Sequence, residues 1–289
     1  MAAFLPNPLR GRLAVKPRQR RIPALFSKER EAVRFSVVCV LALTVVLWEI
    51  AILTGLADPL VISSPLAVAR AVSDILTSRQ GAEALQITGS EIFAAFIFGT
   101  GLGLIAGVIL GVSKLLREAY LPFITFCMST PKVVLLPLFM LVFGLTKTSA
   151  AAFGAFEAFF YVTASVVGGV GLVEERHLKV ALAFRSGPWR ALTAVILPSA
   201  LPGIFAALWY GIKHAFLGVL ISELWASQGG VGSLIRTYAD RLDSAHVIAL
   251  IGIISVIIII GGALWASLEA RLTRWRNTHA SMLAVADMV

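Results

Sequence analysis

Long apolar runs alternate with short polar segments along the chain, and the runs fall near 36–54, 88–111, 121–143, 149–170, 195–224 and 246–268. Each is long enough to cross the roughly 30 Å hydrocarbon core of a bilayer as a helix. The pattern predicts an all-α polytopic membrane bundle of six transmembrane helices. Three regions follow from it: a basic tail over 1–34, a transmembrane domain over 35–276 and a short tail over 277–289. Within the first tail, Ser27–Arg34 reads as a short interfacial helix. Between the first two runs, Ser63-Ser64-Pro65 makes a good helix start. The helix it opens, reaching to Arg79, is predicted to lie outside the bilayer core.

The most polar interruption is the segment 172–194, which reads as a helix, a corner and a second helix. Glu174 and Glu175 fall in the first turn, where the helix dipole favours negative charge. Leu178, Ala181 and Leu182 recur at helical spacing. Ser186-Gly187-Pro188 is read as the stop, with glycine permitting the turn and proline starting the next helix. That second helix is predicted to run to Pro198, with Pro202 close behind. A charged helix-turn-helix between membrane spans has the shape of a docking element and holds no catalytic set.

This segment resembles the EAA loop of ABC importer inner-membrane permeases. Its tail, Ile196-Leu197-Pro198 followed by Ser199-Ala200-Leu201-Pro202, matches the family pattern. Lys179, Val180 and Ala181 stand where Glu-Ala-Ala is usual, and Arg185 stands where the family has glycine, with Gly187 two places later. The resemblance implies a cytoplasmic coupling loop over 172–194 that meets an ATPase subunit. It implies that Lys179, Ala181, Phe184, Arg185, Ser186, Gly187, Leu197 and Pro198 form the contact or its support.

Charge changes the picture by orienting it. Only 14% of the 289 residues are charged, against about 25% in a typical soluble domain. The net charge of +9 raises nucleic acid as a partner, but its distribution argues for a membrane instead. Residues 1–34 hold nine Lys and Arg beside two Glu, interrupted by Pro6, Pro8, Pro17 and Pro23. Such a tail is too long and too proline-broken for a cleavable signal and suits attraction to the bilayer surface. The first tail, the loops at 112–119 and 171–194 and the residues after 268 together carry 18 Lys and Arg, and the alternate loops carry 5. By the positive-inside rule both termini and the 172–194 loop are expected to be cytoplasmic, and the resemblance implies a multi-pass protein of the bacterial inner membrane.

Two spans carry further signals. Gly99, Gly103, Gly107 and Gly111 extend a line begun by Ala95 and make one smooth helix face for close packing. The third run contains Pro122, Pro131 and Pro137, which suit a kinked helix beside a pore better than one facing lipid. Its Thr130-Pro131-Lys132 through Leu136-Pro137-Leu138-Phe139, then Phe143-Gly144, resembles the nitrate/sulfonate/taurine permeases, with Val142 where tryptophan is usual. Ser222-Glu223-Leu224 and Gly229 to Ile235 resemble another run of that group, so the likeness spans about residues 36–276. It implies a small anion such as a sulfonate, taurine or nitrate as cargo. It also implies a second permease copy, ABC ATPase subunits and an extracytoplasmic solute-binding protein as partners. A pyrimidine vitamin precursor or riboflavin remains an alternative cargo for the same architecture.

Charged groups inside the spans are the other functional candidates, because lipid tolerates them poorly. Lys132, Glu157, Lys213 and His214 are read as lining the translocation path, with a Lys132–Glu157 ion pair as the competing structural reading. Glu49, Glu91 and Glu223 lie near span ends, where snorkelling accounts for them. Cys39 and Cys127 fall within apolar runs and are expected to be buried free thiols. No metal-ligand spacing, nucleophile elbow or phosphate-binding glycine loop occurs. The chain is therefore expected to bind no cofactor and to be no enzyme, with ATP bound by a partner subunit. An ATP-independent transporter or membrane enzyme is the rival reading from another class.

Overall fold

The computed structural model describes residues 25–56, 58, 61–173, 175–226 and 229–272, and every regular element among them is helical. The first helix, α1 (Leu25–Leu53), forms with residues to Leu56 a unit of its own. Its apolar stretch is Phe35–Leu53. The expected interfacial segment Ser27–Arg34 is not a separate helix: it is the continuous first part of α1, since nothing in that stretch breaks a helix. The tails, 1–24 and 273–289, and Glu174 lie outside the described residues.

The second unit begins with α2 (Pro65–Thr77) and α3 (Arg79–Val112). Ser64 caps α2 by accepting from the Ala67 amide, and proline occupies the first helical position, where its missing N–H costs nothing. Ser78 ends α2 and caps α3 by accepting from the Gly81 amide at 3.0 Å, so one residue makes the corner. Then follow α4 (Lys114–Ser129), a 3-10 turn at Lys132–Leu135, α5 (Leu136–Phe143) and α6 (Lys147–Gly171). The polar island supplies α7 (Glu175–Ala183) and α8 (Pro188–Ala191), which passes through a π turn at Leu192–Ile196 into α9 (Leu197–Ala226). The chain closes with α10 (Val231–Asp240) and α11 (Ser244–Leu272).

Among the described residues, five helical stretches are long and apolar enough to cross a membrane, and α4 with α5 makes a sixth if that bent pair is one span. The predicted third span, 121–143, is thus not one straight helix: its two arms meet at 89°. Pro131 has no N–H to donate and disfavours helical geometry in the residue before it, so the helix stops at Ser129. The fifth span also departs from expectation. Pro198 does not end a helix, because α8, the π turn and α9 run on as a single stretch, Pro188–Trp225. Pro198 cannot donate to the Ala194 carbonyl, and the ladder shifts to the wider spacing in which the Leu197 amide reaches Leu192.

The centre of the bundle is the packing of α3, α6 and α9. Gly99, Gly103, Gly107 and Gly111 all lie against α6. A methyl group built on Gly103 would sit 2.8 Å from Val162 Cβ, and one on Gly107 only 2.6 Å from Val166 Cβ. The glycine line is therefore an intrachain seam, closed on its far side by Gly154 and Gly169 of α6 against Gly218 and Gly203 of α9. At one end, α2, α10 and α11 form a second core around Ile75, Leu234 and Leu250. Ser63 Oγ lies 2.7 Å from Ser244 Oγ, tying the start of α2 to the start of α11.

Candidate functional site: a polar belt and a protruding corner

Three of the four charged residues expected along the path converge at the break between α4 and α5. Lys132, 5% exposed, places Nζ 3.3 Å from the Glu157 carboxylate on α6. The same ammonium donates to the Cys127 carbonyl at 3.5 Å, and it lies 4.9 Å from the centre of the Tyr161 ring. The Tyr161 hydroxyl donates to the Met128 carbonyl, also at 3.5 Å. Cys127 and Met128 stand four residues before Pro131 and Lys132, so theirs are carbonyls that the broken helix leaves without an intrahelical donor. Within a bilayer no water is at hand to replace it, and the side chains of Lys132 and Tyr161 take that place.

From Tyr161 the belt continues outward. His214 of α9 stacks face to face on the Tyr161 ring, with centroids 3.3 Å apart and planes 7° from parallel. Tyr210 is the next ring, 6.5 Å from His214, and Lys213 Nζ sits 4.8 Å over its centre. Lys213 itself is exposed on the α9 surface, about 100° around the helix from its neighbour His214. Lys132 and Glu157 are thus the inner end of the belt and Lys213 the outer end. Tyr161 links them, and sequence reasoning missed it: a tyrosine inside an apolar run carries no mark of its partners on two other helices.

Glu91 and Glu223 do not snorkel. They are 2% and 0% exposed and lie inside the bundle, where α3 meets α9. Glu223 accepts from the Thr88 hydroxyl at 2.6 Å and from the Gly232 amide at 2.7 Å, while the Val231 amide donates to Thr88 at 2.8 Å. These bonds fold the glycine segment after α9 back onto the bundle. Gly230 has φ of 90°, and a side chain there would collide with the Glu223 carboxylate, so glycine is required twice over. Beyond Glu91, a cavity of about 870 Å³ opens between α3, α5 and α6, walled largely by Phe98, Phe139, Phe143, Phe156 and Phe159. Cys39 and Cys127 are free thiols, but neither is buried: Cys39 is exposed on α1 and Cys127 half-buried beside the break. The apolar outward faces of a membrane protein meet lipid, so an apolar run does not imply burial.

The expected coupling residues gather at the α7–α8 corner. Phe184 is 81% exposed and Trp189 75%. Lys179, Arg185 and Gly187 are also on the surface, Ser186 is half-buried, and Ala181 is buried beneath them. A groove of about 410 Å³ runs between α7 and the start of α9, lined by Ala181, Phe184, Ser186, Arg190 and Pro198 among others. Leu197 lies on the same turn as Pro198, within the continuous helix.

The corner is not turned by Gly187. Arg185 holds the left-handed conformation, at φ 52°, and the Ser186 amide reaches back to the Ala181 carbonyl at 3.0 Å. Gly187 has φ −63° and ψ 160°, which any residue adopts, and a Cβ there meets nothing within 4 Å. Arg185→Gly is expected to stabilise the protein by roughly 1 kcal/mol, by removing the cost of a side chain in the left-handed region. Gly187→Ala is expected to leave it unchanged. Thermal unfolding in detergent checks both; a lower melting temperature for Arg185→Gly would contradict the assignment.

Residues 99–274 match the family described as binding-protein-dependent transport system inner membrane component. The chain belongs to that family. It is the permease subunit of an ABC importer, a multi-pass inner-membrane protein. This permease is similar to the putative aliphatic sulfonates transport permease protein SsuC of Bacillus subtilis, 29% identical over 82% of this chain and 86% of that one. It is also similar to the taurine transport system permease protein TauC of Escherichia coli, 28% identical over 64% of this chain and 66% of that one. A third relative is the formylaminopyrimidine transport permease protein ThiX of Halalkalibacterium halodurans, 24% identical over 80% and 92%. Among solved structures, the inward-facing MetNI methionine ABC transporter shares the fold, with TM-score 0.58 and 19% identity over 67% of this permease and 94% of that chain.

Proposed function

We propose that the permease forms the translocation path for a small anion of the sulfonate, taurine or nitrate kind, and that a partner ATPase binds ATP and docks on the α7–α8 corner. The observation that carries the docking reading is the pair of highly exposed aromatic side chains, Phe184 and Trp189, on a polar corner between membrane helices. Large aromatic side chains of this kind are the usual anchors of protein interfaces. Lys179, Ala181, Arg185, Ser186 and Gly187 complete or support the contact, and Leu197 and Pro198 join it to the membrane domain. Because α8 continues without a loop into α9, a push on the corner moves the whole helix. Two copies of the permease enclose the path, a soluble binding protein delivers the solute outside, and both termini and the corner face the cytoplasm. The similarity to sulfonate and taurine permeases supports the choice of cargo.

The reading is tested by ATP-dependent uptake in liposomes holding the permease with its co-purified ATPase and its binding protein. Phe184→Asp is expected to cut uptake at least about tenfold, the loss of one interface anchor, while the protein still inserts and folds. Full uptake by Phe184→Asp would remove the corner from the coupling path. Uptake of a formylaminopyrimidine or of riboflavin, with none of a sulfonate, taurine or nitrate, would leave the architecture standing and replace the cargo.

A further inference from the structure

Lys213 occupies a position that lipid does not accommodate. It lies in the middle of α9, with roughly 20 Å of helix on either side at 1.5 Å per residue, far from both helix ends. It is nonetheless exposed, and so are Tyr210 and Leu217, which line up with it on one face. Among the described residues no carboxylate pairs with it, whereas the other mid-span lysine, Lys132, is buried against Glu157. Its ammonium lies over the face of the Tyr210 ring. A cation at this depth needs a water-filled neighbour or a counter-charge, and among the described residues of its own unit no carboxylate forms an ion pair with it.

We propose that Lys213 is an anion-binding residue on the wall of the translocation path, with Tyr210 holding its ammonium toward the passing solute. The proposal rests on the permease reading above and makes it specific: the solute's negative group meets α9 at mid-depth. A ring quadrupole under the ammonium positions the charge without neutralising it, which a carboxylate partner would do. The polar belt gives the reason for this placement. Lys132, Glu157, Tyr161 and His214 form a packed interior cluster at the same level, and Tyr210 and Lys213 are its outer rim.

The test uses single cysteines at Tyr210, Lys213 and Leu217, with Val256 on α11 as an apolar exposed control (54%), in permease carrying Cys39→Ser and Cys127→Ser and assembled with its partners in membranes. Membrane-impermeant methanethiosulfonates are the probes, one bearing a sulfonate and one a trimethylammonium group. All three α9 positions are expected to react at least about tenfold faster than Val256→Cys, since thiolate chemistry requires water. Leu217→Cys is expected to favour the anionic reagent by a few-fold, and to lose that preference when combined with Lys213→Gln. Reaction no faster than at Val256, or a preference that survives Lys213→Gln, overturns the proposal. In the transport assay, Lys213→Gln is expected to raise KM for an aliphatic sulfonate about tenfold and Lys213→Arg to restore it; an unchanged KM also overturns it. If the wild-type complex imports no anion, the proposed cargo fails, and the reagent preference still decides whether this face attracts anions.

Discussion

Lys132→Met is expected to destabilise the permease by about 3–5 kcal/mol, because it strands the Glu157 carboxylate inside the bundle. Lys132 also satisfies the Cys127 carbonyl at the α4–α5 break, so its loss exposes a second unpaired group in a region without water. Glu157→Leu alone strands the lysine in turn. The double variant Lys132→Met/Glu157→Leu removes both charges, and it is expected to recover most of the loss, leaving about 1–3 kcal/mol for the orphaned carbonyl. Melting temperatures in detergent read the three variants as a double-mutant cycle. Additive losses would mean that the pair is not coupled and that the break is held by something else.

The glycine seam makes a prediction of sign as well as size. Gly107→Ala places a methyl group 2.6 Å from Val166 Cβ and 3.0 Å from the Thr163 carbonyl, so α3 and α6 must move apart. Overpacking of this kind costs about 1–3 kcal/mol. Gly101 lies on the same helix but has open space around it, so Gly101→Ala gains helix propensity and is expected to be neutral or stabilising by up to about 1 kcal/mol. The two single methyl additions, six residues apart, therefore move stability in opposite directions. A destabilised Gly101→Ala together with an unaffected Gly107→Ala would contradict the packing described.

These two cases also show what the sequence makes legible. The period-four glycines are a one-dimensional pattern, and that pattern marks the face α3 turns to a neighbour; only the structure assigns that neighbour as α6. The three prolines of the third run announce a disturbed helix, but its 89° bend depends on how the two arms pack. Lys132 and Glu157 could be paired on paper because buried opposite charges seek one another. Tyr161 could not be placed, since its stacking on His214 joins two helices through rings that look like ordinary core residues. Gly187 misled because Gly-Pro reads as a turn, whereas the left-handed residue is Arg185, where a side chain hides the signal. Pro198 misled for a related reason: a proline reads as a stop, but one wider turn absorbs it.

If the α7–α8 corner joins this membrane domain to an ATPase, the two subunits should purify together when the tagged permease is extracted in a gentle detergent. Mass spectrometry of the wild-type preparation is expected to recover an ABC ATPase subunit, and Phe184→Asp to lose it while the permease remains folded. Recovery of no ATPase, with the isolated permease still moving solute into liposomes, would contradict the account.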